Sequence, residues 1–395
     1  MRPLAPLALL PALAAGLLPL LAPRPVRAPQ GVTAQAPSPS QSRQAASPLP
    51  LPLPPPRPLL RPAPLVSLGA RTAASAPFSE RLVDGRFRGS SWGGGVPSTA
   101  HPAWAAIRLV RDYERLLLVW SSSHNHGYFE QEYGAPVDYR IETSADSTDG
   151  ADGHWTTAVS VTGNPVRTRA HAVPFAGRRW IRMVVTALAP GGARWGLFLD
   201  EIELHDLSRG GDDVWVFLGD SITAGVFDRA DVHRPDFADA VAALHPGYEP
   251  AVVNAGLPRL RSWEVLARLD EVLALNPDAR VVAVTIGSND GDLGRFGDAL
   301  GRIADRIRAA GKIPLIARIP FQTVYDADYV AVKDPVLDRI VADRGLLPGP
   351  DLYGWFRAHP DRLADGLHPD GPGSVDMCRL FAQAAAPLYP RPPPR

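Results

Sequence analysis

Cysteine and lysine are scarce in this chain of 395 residues, and neither sign of charge is in excess. Cys378 is the only cysteine, which excludes an intrachain disulfide and leaves stability to the packing of apolar cores. Arginine supplies almost all of the basic charge, since Lys312 and Lys333 are the only lysines. Basic and acidic residues balance at 41 each, so no net field favours binding to nucleic acid or to an anionic membrane.

Residues 1–34 have the pattern of a secretory signal peptide. Arg2 precedes an apolar run from Leu4 to Ala22, and Val32-Thr33-Ala34 offers small residues for cleavage. Prolines interrupt the run, which disfavours a stable membrane-spanning helix. We therefore expect a protein that is secreted or periplasmic, in a bacterial cell envelope, without stable membrane insertion once the signal has been removed.

Residues 35–76 are dominated by proline, alanine, serine and arginine, and the chain as a whole contains 43 prolines. A segment of this composition has too few apolar side chains to form a core, and its prolines favour an extended backbone. The sequence therefore predicts a disordered, proline-rich linker over this range.

Residues 77–208 change to short runs of β-forming residues separated by turn residues, which predicts a β-sandwich. The order of several pieces resembles the discoidin-type, galactose-binding-like domain. These pieces are 137–144, His154-Trp155, 177–182 and 199–204. The resemblance implies an accessory domain that either binds sugar through loops at one end or only packs against a catalytic partner.

Residues 213–390 alternate apolar strand-like runs with amphipathic helical stretches. Val214–Leu218, Val281–Ile286 and Ile313–Ile319 are continuous apolar runs of the kind found in strands buried on both faces. This alternation predicts an α/β domain with a parallel sheet covered by helices, in which the chemistry lies at the carboxyl ends of the strands.

Four short motifs fall where these strands end or where the last helix begins. They are Gly219-Asp220-Ser221, Asn254-Ala255-Gly256, Gly287-Ser288-Asn289-Asp290 and Asp365-Gly366-Leu367-His368. Each one alone has an ordinary structural explanation, such as a helix N-cap, a strand-to-loop glycine or an Asn-Asp turn.

Taken together, the motifs resemble those of the SGNH (GDSL-type) hydrolases in residue type and order, and the resemblance covers about 213–389. It implies a three-layer α/β/α, flavodoxin-like fold without a metal or organic cofactor. It also implies Ser221 as nucleophile, His368 as its base and Asp365 as the acid that orients the histidine. The segment after Gly256 lacks the second glycine that many relatives have.

The same resemblance implies an oxyanion hole formed by the backbone N–H groups of Ser221 and Gly256 together with the side-chain amide of Asn289. Such donors stabilise the negative charge that develops on an ester carbonyl when a serine attacks it. The expected reaction is hydrolysis of an ester through an acyl-enzyme.

The sequence gives weaker support for a metal site or a sugar-stacking surface. His124, His126, Glu130 and Glu132 lie in one polar segment but lack a recognised metal-ligand spacing, so we expect no metal site. Several aromatic residues of the β-rich region suit either core packing or sugar stacking, and packing is the commoner role.

The expected substrate is a short-chain ester, acetyl foremost, on a polysaccharide, because the pairing of the two domains is similar to that in bacterial acetylxylan-type esterases. A lipid esterase or thioesterase of the same family is the alternative among enzymes. A non-catalytic protein that binds a polysaccharide or a surface is the alternative of another class. An acylated polysaccharide or a small ester is therefore the expected partner, and nucleic acid is not.

Overall fold

The structure is a computed structural model that describes residues 59–87, 91–122, 127–131, 133–226, 236–326 and 328–391. The predicted signal peptide and most of the predicted linker lie outside these residues. In this part of the chain no helix combines the length and the apolar character needed to cross a membrane.

The first part of the described chain is built from ten antiparallel strands, one short α-helix and a 3-10 helix at Ser79–Val83. Their bounds are β1 Arg71–Ala74, β2 Trp92–Gly95, β3 Ala103–Arg108, β4 Arg115–Ser121, β5 Pro136–Ser144, β6 Thr156–Val161, β7 Thr168–Pro174, β8 Trp180–Leu188, α1 Gly192–Trp195, β9 Leu197–Leu199 and β10 Glu201–Asp206. The strands form a five-stranded sheet in the order β1-β3-β8-β5-β6, a three-stranded sheet in the order β10-β4-β7, and the pair β2-β9. The two larger sheets share one hydrophobic cluster. The likeness to galactose-binding domains stays a prediction.

The second part alternates parallel strands with helices, as the sequence predicts. Its elements are β11 Val214–Gly219, α2 Ser221–Val226, α3 Asp236–Leu244, β12 Ala251–Gly256, α4 Ser262–Leu275, β13 Val281–Thr285, α5 Leu293–Ala309, β14 Ile313–Ile316, α6 Asp328–Ala331, α7 Asp334–Asp343, β15 Leu347–Pro348, α8 Leu352–Ala358 and α9 Gly371–Ala385. The parallel sheet predicted from the apolar runs is thereby confirmed.

The strand order of this sheet is β12-β11-β13-β14-β15. That order is the flavodoxin-like one, in which the strand order reverses beside β11. Side chains alternate along β11, so that Val214, Val216 and Leu218 belong to one core and Trp215 and Phe217 to the other. Both faces of the sheet are therefore covered, which explains why the strands are apolar throughout.

Strand β4 contributes side chains to the hydrophobic cores of both parts of the molecule. Leu116, Leu118 and Trp120 enter the core between the antiparallel sheets, whereas Leu117 and Val119 enter the core on one face of the parallel sheet. A strand buried on both faces has no polar side to alternate with, which accounts for the unbroken apolar run at this position. The β-rich part and the α/β part therefore share a core.

A loop of the β-rich part also reaches the edge of the parallel sheet at which strand β12 ends. The Tyr128 N–H donates to the carbonyl of Gly256 at the end of β12 over 2.9 Å, and the Tyr128 hydroxyl accepts from Asn276 over 2.8 Å. Tyr128 is fully buried. This ring is thus a packing residue rather than a sugar-stacking surface.

The prediction of a disordered linker is wrong for its last part, residues 59–76. Leu60 and Ala63 are buried, and the Leu60 N–H donates to Leu388 O over 2.8 Å. Arg71–Ala74 form β1 and pair with β3. The physical reason is that the few apolar side chains here occupy core positions supplied by distant parts of the chain, so the local composition does not decide their burial.

Candidate active site

Ser221 is the first residue of α2 and follows directly after β11. β11 is paired with both β12 and β13, and the three strands are parallel, so their carboxyl ends meet at one edge of the sheet. The Asp220 carboxylate accepts the N–H of Ile222 over 3.0 Å, which caps the first turn of α2. The helix start thus holds the serine at the edge where ligands bind in such folds.

His368 connects Ser221 to Asp365. Its Nε2 lies 2.9 Å from the Ser221 hydroxyl oxygen, and its Nδ1 lies 2.8 Å from a carboxylate oxygen of Asp365. A proton on Nδ1 lets the imidazole donate to Asp365 and leaves Nε2 free to accept the serine proton. The structure therefore joins the serine, the histidine and the aspartate in one hydrogen-bonded chain.

Asp365 is held as a carboxylate by its own loop. Partial burial opposes its ionisation, but the backbone N–H and the ring of His368 and the N–H of Leu367 all donate to it, and they lower its pKa to about 2. The negative charge is therefore present at any pH at which a histidine is neutral, and it stabilises an imidazolium formed during a reaction.

The loop that carries these two residues needs glycine at position 366. Gly366 has φ +79°, and a Cβ added there would lie 2.4 Å from the Thr323 hydroxyl oxygen. The Gly366 carbonyl accepts the N–H of Thr323 over 2.8 Å. The segment after β14 is thereby tied to the histidine loop.

Asn289 lies in the loop after β13, at the same edge as Ser221. One hydrogen of its side-chain amide is used, since Nδ2 donates to the carbonyl of Leu260 over 3.1 Å. The neighbouring Asp290 is buried and accepts both the N–H and the hydroxyl of Ser262 at the start of α4. These bonds fix the direction of the Asn289 amide and leave its second hydrogen available to a bound oxyanion.

The prediction that Gly256 supplies an oxyanion N–H is at odds with the structure. This N–H is buried and donates to the side-chain oxygen of Asn254 over 2.9 Å. A Cβ at this position would lie 2.3 Å from the backbone nitrogen of Ala224. Gly256 is therefore required for the close approach of α2 to β12, a packing role that explains the residue without chemistry.

Arg259 is a feature that the sequence did not reveal. It lies in the loop between β12 and α4 and has φ +67°, which is in the left-handed region that ordinarily favours glycine. The chain thus keeps a glycine-like backbone here without a glycine, at a strain of about 1 kcal/mol or more.

Residues 217–374 match the model of the GDSL-like lipase/acylhydrolase family. The chain carries a GDSL-like lipase/acylhydrolase domain. The matched stretch contains Ser221, Asn289, Asp365 and His368. No curated protein matches the chain.

Three of the solved structures similar to this chain are the following. A lipase/acylhydrolase from Enterococcus faecalis is 25% identical, with 44% of this chain and 94% of that chain covered and a TM-score of 0.38. A structure of TesA is 22% identical, with coverage of 45% and 99% and a TM-score of 0.38. The acetylxylan esterase Axe2 from Geobacillus stearothermophilus is 20% identical, with coverage of 44% and 94% and a TM-score of 0.38.

The alternative metal site falls mostly outside the described residues, which omit His124, His126 and Glu132. Glu130 is described, and its carboxylate accepts the N–H of Gly127 over 2.9 Å. Within the described part of the chain, no group of three or more His, Cys, Asp or Glu side chains is arranged to hold a metal ion.

Asp220 is a titratable group in the GDSL-like domain that the sequence analysis treated only as part of a motif. It is completely buried immediately before the serine, and this burial raises the pKa of its carboxyl from 3.8 to about 6, despite the hydrogen bond from Ile222. Each tenfold change in proton affinity is worth about 1.4 kcal/mol, so ionised Asp220 lowers the stability by about 3 kcal/mol.

Replacing Asp220 by asparagine should therefore change how stability depends on pH. Because the folded-state pKa is raised, the folded protein retains a proton that the unfolded chain releases between about pH 4 and pH 6, so stability falls as pH rises through this window. Asparagine keeps the acceptor for Ile222 but does not ionise. The free energy of unfolding is measured with urea for both proteins at about pH 4 and about pH 8. The value for the variant minus the value for the wild type should be about 3 kcal/mol larger at about pH 8 than at about pH 4.

The control for this measurement is Asp298→Asn on α5, whose side chain is 69% exposed. It should leave the pH dependence of stability as in the wild type. A difference for Asp220→Asn that is the same at both pH values would show that the buried carboxyl does not titrate in this window.

Proposed function

We propose that this protein is an exported serine esterase that removes short acyl groups, acetyl foremost, from a polysaccharide. The observation that carries the proposal is the hydrogen-bonded chain from Ser221 through His368 to Asp365, with distances of 2.9 and 2.8 Å. A serine hydroxyl is a weak nucleophile at neutral pH, and an imidazole within this distance is the base that activates it.

The proposed reaction has two halves. The Ser221 oxygen bonds to the ester carbonyl carbon while His368 Nε2 takes the serine proton, and His368 then returns this proton to the departing alcohol oxygen as the ester bond breaks. Water, deprotonated by the same nitrogen, attacks the acyl-enzyme, releases the acid and restores the serine hydroxyl. Asp365 keeps the histidine oriented and stabilises its charged form throughout.

The oxyanion of both halves is assigned to two donors. The N–H of Ser221 belongs to the first turn of α2, where N–H groups have no partner within the helix. The second donor is the free hydrogen of the Asn289 amide. Asn289 and Ser221 follow neighbouring strands. These two donors take the place of the three expected from the sequence, because the Gly256 N–H already donates to Asn254.

Export rests on the pattern of residues 1–34, and the sugar substrate on the resemblance described from sequence. The direct test is hydrolysis of p-nitrophenyl acetate by the full chain, followed by a screen for acetate release from acetylated polysaccharides. Faster hydrolysis of p-nitrophenyl octanoate or of an acyl thioester would favour a lipid esterase or thioesterase. No hydrolysis of any of these by folded protein would favour a non-catalytic binding protein.

Replacing Asn289 by alanine should lower kcat by roughly 10²- to 10³-fold, because its amide contributes most when the oxyanion forms. KM for the same ester should change little. The measurement is steady-state kinetics on a soluble acetyl ester, with Asn276→Ala as a control for the loss of a buried side-chain amide. An effect of Asn289→Ala confined to KM would instead make Asn289 a residue that positions the substrate.

A further inference from the structure

A cavity of about 450 Å³ lies beside the proposed oxyanion donor. One wall is formed by Asp290 and Leu293, which follow Asn289 in the chain. The other wall is formed by the segment after β14, with Asp326, Asp328 and Tyr329. The cavity is thus bounded by the two loops that follow β13 and β14 at the catalytic edge of the sheet.

The second of these loops also reaches the histidine. Thr323 donates its N–H to the carbonyl of Gly366, which stands between Asp365 and His368. The chain then continues through Val324 and Tyr325 to the wall of the cavity. The cavity is therefore lined by the loop that carries Asn289 and by the segment that is hydrogen-bonded to the histidine loop.

The rim of the cavity carries an unusual amount of exposed apolar surface. Tyr325 is 48% exposed and Val332 is 49% exposed, and Leu293 on the opposite wall is 41% exposed. Tyr325 precedes the lining residue Asp326, and its ring packs against the ring of the lining residue Tyr329, with the centres 4.6 Å apart and a tilt of 35°. Clustered exposed side chains of this kind at a cleft mark a binding surface.

The charges around the cavity select the kind of ligand. Asp326 and Asp328 are exposed, and within the described residues neither carboxylate has a hydrogen-bond partner. The one cation of the lining, Lys333, is buried and donates to the Tyr329 carbonyl over 2.9 Å, with its Nζ 3.9 Å from the Tyr329 ring centre. The cavity therefore repels an anion, and its open carboxylates are unsuited to a fatty chain.

We propose that this cavity is a subsite for a neutral sugar unit of the polysaccharide, next to the esterified one. The apolar face of the sugar ring packs on the exposed ring of Tyr325, which Tyr329 supports from the cavity wall, and its hydroxyls donate to Asp326 and Asp328. The proposal rests on the proposed esterase function. It adds to that function a substrate class, a neutral glycan rather than an acidic one.

The test compares substrates with and without a sugar. We expect Tyr325→Ala to lower the ratio of kcat/KM for acetylated xylobiose to kcat/KM for p-nitrophenyl acetate by about tenfold, since one ring stacking contact is lost. Phe78→Ala removes a ring that is 57% exposed in the β-rich part and should leave this ratio unchanged. Asp326→Asn with Asp328→Asn should reduce the preference for acetylated xylobiose over acetylated digalacturonate.

The outcomes distinguish failure of the proposed sugar subsite from failure of the proposed esterase function. An unchanged ratio in Tyr325→Ala, in protein that hydrolyses p-nitrophenyl acetate, overturns the sugar subsite and leaves the esterase in place. A drop confined to p-nitrophenyl octanoate relative to the acetate also overturns it, because the cavity then holds the acyl chain. A wild-type protein that hydrolyses no ester overturns the proposed function itself.

Discussion

Replacing Ser221 by alanine should lower kcat for a soluble acetyl ester by about 10⁴- to 10⁶-fold. The hydroxyl 2.9 Å from His368 Nε2 is the only nucleophile in the proposed reaction, so its removal leaves no route to an acyl-enzyme. The residual rate, on the order of 10³-fold above that in water, comes from the oxyanion donors and substrate binding, which the substitution leaves in place. Steady-state kinetics and a melting curve of the same preparation provide the measurement.

Ser374→Ala is the matched control for this variant. Ser374, like Ser221, lies in the first turn of a helix; it is buried, and its hydroxyl donates to the Asp370 carbonyl over 2.8 Å. It should retain wild-type kcat with at most a modest loss of stability. Wild-type rates in Ser221→Ala with an unchanged melting curve would remove this serine from the mechanism.

Deleting residues 1–207 should abolish folding of the remaining GDSL-like domain. The deletion removes Leu117, Val119, Tyr128, Val166 and Ala170 from the core on one face of the parallel sheet. Fully burying a large apolar side chain contributes about 1.5–3 kcal/mol, so losing this group removes about as much as the 5–15 kcal/mol that stabilises an ordinary domain. The measurement is soluble yield, circular dichroism and hydrolysis of p-nitrophenyl acetate.

Two further variants serve as controls for this deletion. Deletion of residues 1–58 alone should leave folding and activity intact, because the core contacts of the described chain begin at Leu60. Leu117→Ala in the full chain should cost about 2–5 kcal/mol of unfolding free energy. A soluble, active fragment starting at residue 208 would show that the shared core is dispensable, and that the β-rich part is an independent accessory domain.

The α/β part could be predicted closely because its signals are local. Its amphipathic stretches form helices such as α4, Ser262–Leu275, and α5, Leu293–Ala309. Apolar period and capping residues determine such elements, and both can be read from a short window. The two-residue strand β15 carries too weak a pattern to be recognised in this way.

Non-local contacts explain what was missed. Leu60 and Ala63 belong to a proline-rich stretch, yet they are buried because α/β and β-rich residues far along the chain surround them. The unbroken apolar run from Leu116 to Trp120 is typical of a strand, but the run alone cannot show that two different cores cover its faces. Composition describes a segment, whereas burial depends on its neighbours in space.

By itself, the sequence determined the residue types that carry the chemistry and the strands and helix starts beside which they stand, because strand ends and turns are local features. The tertiary structure decided which of these residues meet. It joined Ser221 to His368 across 147 positions of the chain, and it directed the Gly256 N–H to Asn254 rather than to a ligand. It also raised the pKa of Asp220 by burial and brought Tyr325 beside Tyr329 at a cavity. Distance, direction and burial arise only when separate segments pack together, and they are what turn a set of residues into a site.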